Sequence, residues 1–285
     1  MTDQQPTTKE TVVVKIGGAA DVDLEAAVAD VARVARSGRR VLLVHGGSAD
    51  ATALGEALGH PPRFVTSPSG HRSRVTDRRT LEIFLMATAG RNRRIVSLLQ
   101  GAGVDALGLS GIDGRALVAE RKAAIRVVED GRVRILRDDW TGRPRGANGA
   151  LLSGLLDQGL VPVLAPVGCT PEGQPVNVDG DRAAAAVAGS LEAEALVLLT
   201  GAPGILRDFP DPASRIPHLP QAELDAALEL VDGPMKKKVL GAREALEAGL
   251  ERVVISGASG ESPLSDALRG AGTVLGADWP QAVRA

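Results

Sequence analysis

The sequence predicts an α/β protein in three layers, with helices covering both faces of one sheet. Three observations lead there. Short apolar runs without polar alternation recur along the chain, as in "VLLV" at 41–44, "LVPVLAP" at 160–166 and "ALVLLTG" at 195–201, and strands buried on both faces read this way. Amphipathic helical segments lie between such runs and give repeated βαβ units. No long linker interrupts the series, so one continuous sheet is the economical architecture, with ligands expected at the carboxyl ends of its strands.

Taken in order, residues 12–16 read as a buried strand, 22–36 as a helix with Leu24, Val28, Val31 and Val34 on one face, and 41–47 as a second buried strand. Ser48 opens a helix to about Leu58, and "TDRRTLEIFLMATAGRNRRIVSLLQGAG" gives a long helix capped by Thr76 or Asp77 and closed by glycine. A short strand at 104–107 follows. "IRVVEDGRVRIL" alternates around Asp130-Gly131, the signature of an antiparallel hairpin. Asn148 caps a helix to about Leu156, 160–166 is the next strand, and the pattern restarts with a helix at 180–190 and a strand at 195–201. A Pro/Asp-rich excursion at 202–219, helices at 221–230 and 234–248, a strand at 252–256 and a terminal helix with an edge strand complete the chain.

Composition removes several function classes. At 285 residues with net charge −2, the chain has neither the basic surface of a general polyanion binder nor a disordered composition. Aromatics make up 2% and tyrosine is absent, so base-stacking platforms are lacking and no nucleic-acid role is expected. Cys169 has no partner cysteine, which fits a reducing compartment and a small buried hydrophobe. "MTDQQPTTKE" holds no apolar signal region and no apolar run approaches a membrane span, so a cytoplasmic location is expected.

The chemistry-bearing residues cluster at strand ends. Gly17-Gly18, Gly46-Gly47, then Gly108, Gly111 and Gly114, and later Gly201 with Gly204, are read as turns following strands. There they admit close approach of backbone amides to a ligand, and helix N-termini behind them favour anions. No G-x-x-x-x-G-K-[ST] occurs, and "GAGVDA" at 101–106 precedes its strand and lacks the last glycine of a dinucleotide fingerprint. Lys15 sits within reach of the first glycine turn, where an ammonium neutralises charge on a phosphoryl group; the same position suits a lysine snorkelling from a strand end. In "NVDGDRAAA", 177–185, Asp181 stands at a helix start and Asn177 and Asp179 project from the preceding loop. An aspartate there serves as an N-cap or as a carboxylate that orients lysines. "GPMKKKVLGA" puts three lysines at a helix N-terminus, against the macrodipole, a cost that a nearby anion would offset. His45 reads as a structural part of its His-Gly-Gly turn.

"VVVKIGG", "LLVHGG", "SRVTD", "GLSGIDG", "VNVDGDRAA", "LLTGAPGIL" and "MKKKV" stand in the order and spacing of the amino acid kinase family, and the chain resembles its acetylglutamate kinase branch over about 12–275. The resemblance implies a carbamate kinase-like αβα sandwich around a mainly parallel sheet of about eight strands. It implies an N-terminal lobe, 1–165, that binds the acyl substrate and dimerises, and a C-terminal lobe, 166–285, that binds ATP, the two forming one continuous domain. Lys15 and Lys238 then resemble the lysines that meet the transferring phosphoryl group from the two lobes, and Asp181 the aspartate that positions both. Gly17, Gly18, Gly46 and Gly47 resemble the amides around the phosphoryl group and substrate carboxylate. Arg74 and Asn177 match the residues that hold the substrate's other end, and Thr200, Gly201 and Gly204 the nucleotide loop. Mg2+ in this family is held by phosphate oxygens and water, so no protein metal ligand is expected.

Departures from the branch concern the substrate. Where acetylglutamate kinases commonly read Gly-Leu-Arg-Val-Thr-Asp this chain has "SGHRSRVTD" at 69–77, and Asp179 replaces the middle asparagine of Asn-x-Asn-x-Asp. These features resemble the kinases that phosphorylate L-2-aminoadipate joined to a small acidic amino-group carrier protein in lysine biosynthesis. The alternatives are an N-acetyl-L-glutamate 5-kinase or carrier-linked glutamate kinase of arginine biosynthesis, and a non-catalytic regulatory relative. Arg63, Arg72, Arg74, Arg78, Arg79, Arg91, Arg93 and Arg94 are expected to steer an acidic carrier, the plainer alternative being a solvated face with ion pairs to Asp77 and Glu82. The resemblance also implies a homodimer through helix 77–100, with Leu81, Phe84, Leu85 and Leu98 available for the interface or for packing on the sheet.

Overall fold

The N-terminal strands and helices form where their apolar patterns place them. The computed structural model describes residues 11–19, 22–68, 70, 72–129 and 131–278. The chain runs β1 (Thr11–Ile16), α1 (Leu24–Arg36), β2 (Arg40–His45), α2 (Ser48–Ala57), β3 (Phe64–Thr66), β4 (Arg72–Arg74), α3 (Arg78–Gly101) and β5 (Ala106–Ser110). Four strands follow, β6 (Leu117–Arg121), β7 (Ile125–Glu129), β8 (Arg132–Leu136) and β9 (Thr141–Ala147), then α4 (Gly149–Asp157). The rest is β10 (Val161–Ala165), β11 (Val167–Cys169), β12 (Pro175–Val178), α5 (Gly180–Ser190), β13 (Ala195–Thr200), β14 (His218–Leu219), α6 (Leu224–Leu230), α7 (Gly233–Glu247), β15 (Arg252–Gly257), α8 (Pro263–Leu268) and β16 (Thr273–Gly276).

The central sheet has eight strands in the order β14-β16-β15-β13-β1-β2-β10-β5. All neighbours pair parallel except β15 with β16. One apolar cluster joins Val12, Val14 and Ile16 to α1, α3 and α8; the other joins Val13, Leu42 and Val44 to α4, α5, α6 and α7. This is the expected three-layer sandwich, and its sheet runs without a break through both halves of the chain.

Two smaller β units stand on the sheet's carboxyl side. One is an antiparallel flap, β4-β3-β7-β8, and the other a ring of β11, β12, β9 and β6. The expected hairpin is β7 and β8, paired from Ile125↔Leu136 to Glu129↔Arg132. Gly131 turns it at φ 72°; Asp130 lies outside the described residues.

The structure corrects three placements and decides between the two uses left open for the apolar face of α3. Gly108 lies inside β5, not after a strand, because its missing Cβ makes room for Asn92. Asn177 lies in β12 instead of a loop. The sheet's edge beyond β16 is the two-residue β14, supplied by the Pro/Asp-rich excursion. On α3, Leu81 and Phe84 are buried within the chain and Leu98 packs against the α1 cluster, so this face is already used. The caps follow the sequence more closely: the side chain of Asp77, the cap of α3, accepts from Thr80 N at 2.7 Å, and that of Asn148 from Leu151 N at 3.1 Å. No helix among the described residues is long and apolar enough to cross a membrane.

Candidate active site

Alternation along β1 decides where Lys15 points. Val12, Val14 and Ile16 face the α1 layer, so Val13 and Lys15 face α5 and α7. The N-cap of α5 is Asp179, whose carboxylate accepts from Asp181 N at 3.1 Å and Arg182 N at 3.2 Å. The capping role weighed for Asp181 thus belongs to its neighbour, and Asp181, in the first turn, is free for charge pairing. Helix α7 passes close to it at Gly241, where an added Cβ would lie 3.6 Å from Asp181 Cβ, and a bidentate Arg182–Glu244 pair ties the two helices.

Asp181 joins both lysines. Lys15 Nζ lies 2.8 Å from Oδ1, an ion pair with poor hydrogen-bond alignment, and Lys238 donates to Oδ2 at 3.0 Å. The three residues are 7%, 6% and 8% exposed in the order Lys15, Asp181, Lys238. Gly180 clears the path, since a Cβ there would press on Lys15 Cε at 3.3 Å. Burial by itself would raise the Asp181 carboxyl, but the two ammonium groups together hold it well below the usual carboxylate range. Burial pulls the Lys238 ammonium below the ordinary lysine range, with Lys15 adding to the effect and Asp181 opposing it. Two cations share one carboxylate, so the cluster keeps a surplus positive charge at the end of β1. Of the other lysines of "MKKKV", Lys237 donates to Arg72 O at 2.6 Å, linking α7 to the flap.

The glycine turns after β1 and β2 interlock. A Cβ on Gly18 would lie 2.6 Å from Gly46 C, and one on Gly46 2.6 Å from Gly18 Cα. The amides of Gly17 and Gly46 are taken by Leu199 O at 3.0 Å and Ile16 O at 2.9 Å. Those of Gly18 and Gly47 have no hydrogen-bond partner among the described residues, which narrows the four expected amides to two. Arg91 fixes the turn from α3, reaching Gly17 O at 3.1 Å and Asp50 at 2.9 Å.

His45 is structural, as its motif suggested. Its Nδ1 lies 2.8 Å from Gly46 O and so carries the hydrogen, leaving Nε2 to accept from Asn92 at 3.2 Å. Burial lowers its pKa to about 4.

At the substrate segment, Arg74 donates to Thr52 Oγ1 at 2.8 Å and Ser48 O at 3.0 Å, bracing the start of α2, while its guanidinium stacks 5.0 Å from the Phe64 ring centroid. Burial lowers its pKa. Asn177 donates to Thr76 Oγ1 at 3.0 Å. Behind both is the fully buried Asp139, which accepts from Thr76 N at 3.0 Å and Thr141 N at 2.9 Å and was not apparent in the sequence. The second aspartate of "RDDW" carries no periodic signal. On the other side, Thr200 O accepts from Ala258 N at 2.7 Å where β13 ends. Gly201 is exposed just beyond, and Gly204, at φ 147°, passes so close to Thr273 that a Cβ would lie 2.7 Å from its Oγ1.

The amino acid kinase family matches residues 10–256. The chain belongs to that family. An enzyme described as LysW-aminoadipate kinase of Deinococcus radiodurans is 50% identical over 93% of this chain and 91% of its own length. An acetylglutamate kinase of Methanopyrus kandleri is 38% identical over 92% of this chain and 99% of its own. Among solved structures, an N-acetylglutamate synthase of Neisseria gonorrhoeae superposes with a TM-score of 0.74 at 28% identity, covering 95% of this chain and 60% of that longer one. As an amino acid kinase, this phosphotransferase takes ATP as a substrate. No group of three His, Cys, Asp or Glu among the described residues converges to hold a metal, and Asp179 and Asp181 are engaged by the α5 amides and the lysines. The donor set does not fit a protein-held ion.

Proposed function

We propose that this kinase transfers the γ-phosphoryl group of ATP to the side-chain carboxylate of L-2-aminoadipate carried on a small acidic amino-group carrier protein, giving an acyl phosphate and ADP. The observation that carries the chemistry is the pair of lysines meeting on Asp181 at the carboxyl end of β1. A carboxylate acceptor is ionised at neutral pH and needs no general base, which agrees with a buried, neutral His45 committed to its own turn. Catalysis then rests on placement and charge: the surplus positive charge of Lys15 and Lys238 and the unpaired amides of Gly18 and Gly47 stabilise the phosphoryl group in transit.

In this reading residues 1–165 bind the acyl substrate through Arg74 and Asn177, and 166–285 bind ATP through the loop of Thr200, Gly201 and Gly204. Magnesium enters with the nucleotide on phosphate oxygens. The protein works in the cytoplasm as a homodimer; with Leu81 and Phe84 spent inside, pairing through α3 has to use its far side, where Met86 is exposed. Aminoadipate on a carrier is preferred because the relative of that description stands at 50% identity and the acetylglutamate kinase at 38%. N-acetylglutamate, or carrier-linked glutamate, is the second reading. A non-catalytic relative has no reason to keep the lysine pair and Asp181 together.

The test supplies Mg-ATP with carrier-linked aminoadipate or with N-acetylglutamate and traps the acyl phosphate with hydroxylamine. Hydroxamate from the carrier conjugate is expected. Turnover confined to N-acetylglutamate would overturn the substrate assignment, and hydroxamate from neither the enzymatic one.

A further inference from the structure

The two amides left unpaired at the glycine turns belong to peptide units whose opposite ends are held. Gly18 N–H shares its unit with Gly17 O, and Gly47 N–H shares its unit with Gly46 O. Both units are trans. A trans peptide is planar, with its N–H pointing opposite to its C=O, so whatever fixes the oxygen also aims the hydrogen. Gly17 O accepts from Arg91 Nη2 at 3.1 Å, and Gly46 O from the Nδ1–H of His45 at 2.8 Å. These donors are themselves buried, the Arg91 side chain being 9% exposed and His45 not at all.

Both donors are placed by α3. Arg91 divides its guanidinium between Gly17 O and Asp50, 2.9 Å from Nη1, so the group cannot swing away without abandoning an ion pair. Its neighbour Asn92 settles the histidine. Asn92 Nδ2 donates to Val163 O at 2.9 Å and to His45 Nε2 at 3.2 Å, which leaves the single ring hydrogen on Nδ1. With its pKa lowered to about 4, the ring is neutral at pH 7 and carries only that hydrogen. Beyond the two units the main chain is held by α2, where Ala49 N donates to Gly18 O and Ala51 N to Gly47 O, both at 3.0 Å.

Each unit lies between two glycines, so no Cβ resists its rotation, and a reversed unit would face an arriving anion with a carbonyl oxygen. The two side-chain donors oppose that reversal. We infer that Arg91 and His45 are positioning residues for phosphoryl transfer: by holding Gly17 O and Gly46 O they keep the Gly18 and Gly47 N–H groups aimed at the phosphoryl group, though neither side chain meets it. A donor on the oxygen also polarises the N–H of the same unit, which strengthens its bond to an anion. Donors fixed in advance need no rearrangement when charge develops. This rests on the proposed function, in which those two amides stabilise the group in transit.

Kinetics of matched variants test this, with the full chain, Mg-ATP and either acceptor of the hydroxylamine assay. Arg91→Met and His45→Leu should each lower kcat about tenfold, while KM for both substrates changes about twofold or less. Arg91→Lys keeps one donor and the charge, and His45→Asn places an amide N–H near the site of Nδ1–H, so each should regain most of that loss. Binding gives a second readout. Capture of aluminium fluoride, a mimic of the transferring group, together with Mg-ADP should weaken about tenfold in Arg91→Met and His45→Leu, whereas affinity for Mg-ADP alone should hold. Thermal unfolding confirms that each variant folds, and the two residues, on α3 and β2, give independent tests. Undiminished kcat in Arg91→Met and His45→Leu, or equal losses in the conservative and apolar variants of both residues, would overturn the positioning role and leave the kinase reading standing. Wild-type silence with both acceptors would overturn the kinase reading and the positioning role with it.

Discussion

The strand ends around Asp181 and the flap around Arg74 are tied together by Lys237, which donates to Arg72 O, yet they handle charge in opposite ways. At the strand ends, Lys15 and Lys238 are buried against a shared carboxylate, and the backbone beneath them is fixed by interlocked glycines. On the flap, Arg72 and Arg74 stack on the Phe64 ring, and Lys122 and Arg126 line an open cavity without acids. A buried, paired charge is preorganised and costs no rearrangement when a phosphoryl group arrives; an exposed, unpaired charge is available for recognition. On the proposed function, the contrast places rate in the first region and selection in the second.

The largest effect should come from the strand ends. Lys15→Ala and Lys238→Ala are each expected to lower kcat on the order of 10²-fold or more, measured as hydroxamate formed at saturating substrate; undiminished turnover in either variant would remove that lysine from the chemistry. Arg74→Ala should act mainly on binding, raising KM for the acyl substrate about tenfold with a smaller change in kcat. If kcat fell while KM held, Arg74 would belong with the rate-determining region and the contrast would fail.

The smallest effect concerns pH. His45 is neutral in the folded chain with its pKa lowered to about 4, whereas the unfolded chain takes up the proton near 6.5. Stability from this group is complete above about pH 6.5 and declines as pH falls toward 4, by at most roughly 3 kcal/mol. Denaturant unfolding at neutral and mildly acidic pH measures it, and His45→Gln should flatten that part of the curve. Asp181, with its pKa depressed, contributes in a lower window: its share is present above the usual carboxylate range and is lost only on stronger acidification.

Most of this architecture was legible in the sequence where periodicity or capping chemistry was strong. The apolar runs became β1, β2, β10 and β13, the alternating segment "IRVVEDGRVRIL" gave the β7–β8 hairpin, and Asp77 and Asn148 capped their helices. Lys15, Asp181 and Lys238, singled out from three distant segments, converge. What escaped was tertiary in origin. The ring strand β9, "TGRPRGA", has no apolar alternation and exists because β6 and β12 pair with it. Asp139 and Lys122 sit in polar stretches without periodicity, and only the fold brings them near one another beside Thr76 and Thr141. Gly180 and Gly241 fall inside the expected helices 180–190 and 234–248, and only the fold sets Lys15 and Asp181 against them.

The contact between Gly18 and Gly46 restricts how this sequence can change. In most tight contacts between side chains, enlarging one member is tolerated after shrinking the other. Here neither member has anything to give up, because each added methyl would strike the other's main chain. No second substitution at the facing position repairs the first, so the two sites cannot drift as a compensated pair.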